Sequence, residues 1–346
     1  MSVIAIDLFC GAGGLTHGFV KEGIDVAAGI DIDPACRYPY EKNNKATFIQ
    51  KDISAVTSRT LKKVYKRAAY TVLAGCAPCQ PFSLYTQGLD TQSDEQWGLL
   101  NEFLRLVLEV KPDVVTMENV PQLKRHAIYA KFMKGLEAAG YIVTSYEVHC
   151  EKIGIPQTRK RLVLFASRHG AVKFCRVKKP RRPNTVRRAI GNLRPLKAGG
   201  VDADDPFHRA SHLSALNLKR IKASKPGSSW KKWPRHLVAK CHTKKKGKGY
   251  PSIYGRMEWG KPAPTITTQF FGFGSGRFGH PKQDRAISPR EAAILQTFPR
   301  NYAFVASGDD IQMKKMGRLI GNAVPVRLGR LIARSILRHL EEQHAG

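Results

Sequence analysis

An apolar run, Val3 to Phe9, breaks into Cys10-Gly11-Ala12-Gly13-Gly14, after which the pattern becomes helical. A short apolar run that ends in a glycine turn and opens a helix is the first half of a strand–turn–helix unit. The pattern recurs. Val26 to Ile32, Thr71 to Leu73, Val114 to Met117, Tyr141 to Val148 and Arg161 to Ala166 read as further strands. Helical patterns lie between them, such as Glu102 to Val110, stopped by Pro112, and Tyr129 to Ala139, closed by Gly140. Strands alternating with helices predict an α/β fold with a doubly wound, Rossmann-like parallel sheet over residues 1–170. In such sheets ligands gather at the C-terminal strand ends, so the residues just after each strand are the first candidates for function.

Beyond residue 171 the texture changes to basic, Pro- and Gly-punctuated sequence. The whole chain carries 58 Lys and Arg against 27 Asp and Glu, a formal +31. Residues 171–257 alone hold 24 Lys and Arg and three Asp, so 24 − 3 = +21 sits in this stretch. A lysine-rich solvated face is the usual meaning of a charge run. An excess this concentrated, with Trp230, Trp233, Tyr250 and Tyr254 among the cations, fits a polyanionic partner better. Residues 171–285 therefore read as a smaller basic domain, and 286–346, helical again near its end, as a return segment that completes the first domain. Lys244-Lys245-Lys246-Gly247-Lys248 reads as a loop. No run approaches the apolar length of a membrane span, the start lacks a basic leader, and seven cysteines in this setting are expected as thiols.

Several strand ends carry chemistry-bearing residues. The glycines after Phe9 allow backbone amides to approach a ligand, and a helix start favours a negative group. Asp31 ends the next strand, suited to ribose hydroxyls, and Asp52, before Ile53, follows the one after; each acid alone is unspecific. Gly75-Cys76-Ala77-Pro78-Cys79-Gln80-Pro81-Phe82-Ser83 allows two readings. Cys76 and Cys79 form a C-x-x-C, a redox pair or half a metal site, although no second pair of ligands has matching spacing. The other reading is a single nucleophile, Cys79, presented on a proline-stiffened turn. Glu118-Asn119-Val120 follows an apolar strand, where a carboxylate is costly unless paired; a proton-handling role and a helix cap both remain open. In Gln157-Thr158-Arg159-Lys160-Arg161, alternation places Arg159 and Arg161 on one side, for a phosphate or carbonyl ligand or for a surface salt bridge.

Taken in order, these residues resemble the DNA cytosine-5 methyltransferase family. The resemblance rests on Asp7 to Gly14, Gly75 to Ser83 with its Pro-Cys-Gln core, Glu118-Asn119-Val120, Gln157-x-Arg159-x-Arg161, Arg290-Glu291-Ala292-Ala293 running to Gln296-Thr297-Phe298-Pro299, and Gly321-Asn322-Ala323-Val324-Pro325. Tyr254-Gly255-Arg256 and Pro264 to Thr268 also match, so the likeness spans nearly the whole chain; Ala12 and Ala77 are mild departures.

The resemblance implies that a methyl group passes from S-adenosylmethionine (AdoMet) to carbon 5 of cytosine. Cys79 would add to C6, Glu118 would hydrogen-bond N3 and the exocyclic amine, Arg161 would hold the carbonyl O2, and Arg159 would support the loop carrying Cys79. For the cofactor, Phe9 would lie near adenine and sulfonium, and Gly11, Gly13 and Gly14 would line the methionine end. Asp31 would take the ribose hydroxyls, Ile32 the adenine face, and Asp52 with Ile53 the adenine edge, while Leu99, Asn322 and Val324 complete the wall. No metal is implied. The expected partner is duplex DNA, read by the basic domain after the target base is flipped out, with Gln80 to Trp97 as a loop closing over that base and Gly88 and Gly98 near its end. A monomer working in a prokaryotic or phage restriction–modification setting, cytoplasmic and DNA-associated with no membrane role, completes the expectation. Two rivals are a tRNA-modifying enzyme of the same fold and a non-catalytic DNA- or cofactor-binding protein; the separate basic domain and the intact Cys79, Glu118, Arg159 and Arg161 weigh against them.

Overall fold

The computed structural model describes residues 2–65, 68–78, 96–175, 177, 183–243 and 251–344. Two compact units emerge: Met1–His149, Lys160–Lys178 and Ala323–Gly346 form the first, and Cys150–Arg159 with Lys179–Asn322 form the second. Of the stretch expected to return to the sheet, residues 323–346 join the first unit and 286–322 cluster with the second.

In the first unit, β1 (Val3–Leu8), β2 (Asp25–Asp31), β3 (Thr47–Gln50), β4 (Tyr70–Gly75), β5 (Val114–Asn119), β6 (Ile142–His149) and β8 (Lys160–Ser167) make one sheet in the order β3-β2-β1-β4-β5-β8-β6. The ladder β3-β2-β1-β4-β5 is parallel, and β8 runs antiparallel to both β5 and β6. Strands covered on both faces read as continuous apolar runs, and every residue of β5 is buried. Strand order reverses between β1 and β4, which opens a crevice at their C-terminal ends. The antiparallel β8 delivers its N-terminal end to that same edge.

Helices α1 (Gly14–Lys21), α2 (Arg37–Asn44), α3 (Ser58–Val64), α4 (Gln96–Val110) and α5 (Ala127–Ala138) follow the strands as expected for a doubly wound sheet. The last two residues of the expected loop, Gln96 and Trp97, instead open α4. Strands β4 and β5 run further than the apolar pattern predicts, to Gly75 and Asn119. Pairing with neighbours keeps these residues in the ladder even where the side chain is small or polar.

The second unit holds short elements: β7 (Gln157–Thr158) paired in parallel with β9 (Ala263–Pro264), then α6 (Val186–Ile190), α7 (Ala215–Ala223), α8 (Lys240–Thr243), α9 (Pro289–Leu295) and α10 (Met313–Gly321). The closing helix α11 (Val326–His344) belongs to the first unit and packs on α1, where a Cβ on Gly18 would meet the backbone of Gly329 and Arg330 at 2.6 Å. Only bare backbone permits that approach.

One expectation from the sequence is overturned here. Trp230 and Trp233 were read with the cations as part of a polyanion surface. Both are buried, forming a small core with Ile221, Leu237, Phe273 and Ala286, and Tyr254 packs against it. Aromatic rings in a lysine-rich stretch must bury their area somewhere, and here they stabilise a unit poor in regular secondary structure. Tyr250 and Lys244 to Lys248 lie outside the described residues. A fully buried ion pair, Arg285 Nη1 to Glu291 Oε2 at 2.7 Å and Nη2 to Oε1 at 2.8 Å, anchors the start of α9, where Ser288 and Glu291 form a capping box.

Candidate active site at the ligand edge of the sheet

Parallel strands deliver their following residues to one edge, and most of the residues singled out from sequence lie there. After β1, Phe9 adopts φ 57°, Gly11 φ 52° and Gly13 φ 84°. A phenylalanine in the left-handed region is strained, and such strain persists where the surroundings enforce a functional turn. The turn is held from the next strand: Asp31 Oδ2 accepts from Gly11 N at 2.9 Å, and Oδ1 accepts from Asp33 N at 2.9 Å. Each carboxylate oxygen keeps a second lone pair, so ribose hydroxyls can be added without breaking this support. Ile32, directly after Asp31, is 64% exposed, an apolar side chain presented at the edge.

Asp52 accepts from Ser54 N at 2.8 Å and Ser54 Oγ at 2.7 Å, capping a short 3-10 helix over Ile53–Ala55. Those bonds hold its carboxyl below the usual range despite some opposing desolvation. Ile53 belongs to the main core, and Phe9 and Leu99 pack against the same cluster. Gly14 begins α1, with Gly13 as its N-cap. Val324 is buried in the first unit, whereas exposed Asn322 caps α10 in the second. A left-handed glycine turn, a half-buried carboxylate with spare acceptor capacity and an exposed apolar side chain fit the ribose, adenine and carboxylate of a nucleoside-type cofactor.

The chemical half lies beyond β4 and β5. Glu118, 2% exposed, places Oε1 2.7 Å from Nε of Arg161. The register explains the pairing. Glu118 sits opposite Val163 of β8, and Arg161, two residues earlier, projects on the same face. On the other side, the Cys76 thiol donates to Glu118 Oε2 at 2.9 Å. Asn119 Nδ2 donates to the Ala77 carbonyl at 3.1 Å, and Val120 N donates to Asn119 Oδ1 at 2.8 Å. The 76–78 segment is thus tied twice to the end of β5. Cys79 itself, and residues 80–95 of the expected closing loop, lie outside the described residues.

Arg159 and Arg161, read from alternation as a pair on one face, part company. Arg159 lies between β7 and β8 and clusters with the second unit. There its Nη1 donates to the Ile266 carbonyl at 3.1 Å, and Ile266 N donates to Gln157 Oε1 at 3.0 Å. A break in the strand at position 159 cancels the alternation. Sequence reasoning named Asn119 only as part of a tripeptide and weighed Cys76 only as half of a C-x-x-C. The available signal was parallel register, which pairs each residue after β4 with one at the end of β5.

Asp7, near the end of β1, lies beneath this edge. Its Oδ2 accepts from Thr16 Oγ1 at 2.7 Å, and its buried Oδ1 has no hydrogen-bond partner among the described residues. Burial pushes its pKa from the ordinary 3.8 up to about 7, opposed by the Thr16 bond and reinforced by Asp31. A folded-state pKa raised this way contributes stability that is present below pH 3.8 and lost as pH climbs towards 7. Asp7→Asn is expected to escape that loss. Its stability relative to wild type should rise by about 3 kcal/mol between pH 4 and pH 7, measured by urea unfolding at several pH values. Parallel stability curves for the two proteins would show that Asp7 ionises normally.

A doubly wound sheet whose ligand edge carries a left-handed glycine turn and a buried Glu–Arg pair fits an enzyme that transfers a group from a nucleotide-type cofactor. Residues 3–338 match the family model described as C-5 cytosine-specific DNA methylase, and the chain belongs to that family of DNA (cytosine-5) methyltransferases, which draw their methyl group from S-adenosylmethionine. The Type II methylase M.HgiDII of Herpetosiphon aurantiacus is 52% identical over 343 residues, covering 98% of this chain and 96% of the relative. The Type II methyltransferase M1.BsuMI of Bacillus subtilis is 31% identical, covering 97% and 81%. Among solved structures, a protein described as a DNA modification methyltransferase encoded within an E. coli prophage superposes with a TM-score of 0.74 at 21% identity, covering 98% of this chain and all of that one. Among the described residues, no helix is long and apolar enough to cross a membrane.

Proposed function

We propose that this enzyme methylates cytosine within one specific sequence of duplex DNA, as the modification arm of a Type II restriction–modification system. The Type II names of its relatives support the setting, and the formal +31 supports a polyanionic substrate. The target base is flipped from the stack, because C5 and C6 of a paired cytosine cannot be reached within the duplex. Lys and Arg of the basic stretch 171–285 hold phosphates and help read base edges, so affinity falls steeply with salt.

The observation that carries the chemical reading is the buried Glu118 carboxylate, flanked by Arg161 at 2.7 Å and by the Cys76 thiol at 2.9 Å, three residues before Cys79 in the chain. Cytosine C5 is a weak nucleophile. The Cys79 thiolate adds to C6, which breaks the ring's conjugation and makes C5 enamine-like. Glu118 accepts from the exocyclic amine, and a proton shared between its carboxyl and N3 offsets the charge that builds there as the sulfur adds. Arg161 serves the carbonyl O2 as well as Glu118, and Arg159 supports the segment that carries Cys79. AdoMet, when bound, supplies an electrophilic methyl group on a sulfonium. Phe9, Gly11, Gly13, Gly14, Asp31, Ile32, Asp52, Ile53, Leu99, Asn322 and Val324 hold it. Loss of the C5 proton to water and departure of Cys79 as a thiolate then restore the ring.

A duplex with 5-fluorocytosine at every cytosine tests this without knowledge of the recognised sequence. Fluorine cannot leave as a proton does, so the adduct should persist through denaturing electrophoresis only when AdoMet is present. Absence of a trapped species with active enzyme would overturn the covalent route.

A further inference from the structure

Cys76 has no part in the chemistry set out above, yet its thiol is built into it. Gly75 of β4 lies beside Met117 of β5. In parallel strands the next residues, Cys76 and Glu118, therefore lie side by side and project to the same face. The Sγ–Oε2 distance of 2.9 Å is the result. A glutamate's terminal torsion is broad, so one partner leaves the carboxylate plane free to turn. Here the Arg161 guanidinium makes an ion pair with Oε1, and the thiol donates a hydrogen bond to Oε2. The charge contact on one oxygen and the hydrogen bond on the other fix the plane, and Oε1, which accepts no hydrogen bond among the described residues, stays open to a ligand.

We propose that Cys76 is a positioning residue for the methyl-transfer reaction, fixing the plane of the Glu118 carboxylate to match the flat edge of the target base. The proposal rests on the role given above to Glu118. A pyrimidine presents N3 and its exocyclic amine in one plane, so a carboxylate turned out of that plane serves one of them poorly. Burial explains why a thiol suffices: water does not compete for Oε2 of a side chain that is 2% exposed.

The test compares single-turnover methyl transfer by wild type, Cys76→Ala and Cys76→Ser, with melting curves confirming that each is folded. Loss of the donor is expected to lower the transfer rate about tenfold while KM for DNA and for AdoMet stays within about twofold. Serine, which keeps a donor of similar reach, should restore most of the rate. On a Glu118→Gln background, adding Cys76→Ala should cost nothing further, because the two residues act as one unit. Should Cys76→Ala fail to fold, Cys76→Val, closer in volume and also without a donor, replaces it. A donorless variant as fast as wild type, or an equal loss on the Glu118→Gln background, would overturn the proposal while leaving the proposed reaction intact. No methyl transfer to DNA by the wild type would overturn the functional reading instead.

Discussion

Cys79→Ser is expected to lower methyl transfer roughly 10⁴-fold while AdoMet and DNA affinities stay within about twofold of wild type. Serine keeps the shape of the side chain but not its acidity. The sulfur of cysteine titrates near pH 8.5 and leaves a useful thiolate fraction at neutrality, whereas an alkoxide is out of reach without a strong base. Addition to C6 should therefore fail although both substrates still bind. Incorporation of tritiated methyl groups into duplex DNA measures the first quantity, and titration calorimetry with a gel-shift assay the second. Turnover within tenfold of wild type would remove Cys79 from the chemistry.

The second large effect is expected at Arg161. Its side chain is 11% exposed and its partner Glu118 2%, so Arg161→Ala strands a carboxylate where water cannot solvate it. Breaking a buried pair from one side costs about 3–5 kcal/mol, far more than the pair contributes over an apolar replacement. Arg161→Ala should thus lose about 3 kcal/mol of stability by urea unfolding and at least about 100-fold in methyl transfer. Adding Glu118→Gln should recover much of the stability and none of the activity, because the stranded charge is gone but the base partner is gone too. Arg161→Lys should fall between, since it keeps the charge and loses the planar fork. A single Arg161→Ala variant as stable as wild type would show that Glu118 finds another partner.

Much of this was legible in the chain itself. The strand cores from Val3 to Ala166 could be read because covered parallel strands leave uninterrupted apolar runs, and glycine turns mark where each one stops. Glu118 stood out because a carboxylate at the end of such a run demands a partner. The partner's identity did not, because Arg161 reaches Glu118 through an antiparallel strand whose placement depends on long-range pairing. The pairing of Cys76 with Glu118 follows instead from the parallel register of β4 and β5, which sets the two residues side by side once the two strands are known to be neighbours. Alternation misled at Arg159, where the strand is interrupted and the side chain turns to the Ile266 carbonyl. Composition misled at Trp230 and Trp233, since residue type alone does not distinguish a ring that stacks on a base from one that fills a small core. Asp52 shows the reverse case: its bonds to Ser54 are those of a plain cap, and nothing in them distinguishes a cofactor ligand.

The close seating of α1 on α11 has a consequence for how the polypeptide is made. Residues 323–346 are translated only after 179–322, yet they cover a helix that follows the first strand. A nascent chain on the ribosome therefore holds its earliest strands with one flank uncovered throughout synthesis of the basic stretch. Chaperone occupancy during translation should concentrate on that flank and end once Gly329 can settle against Gly18.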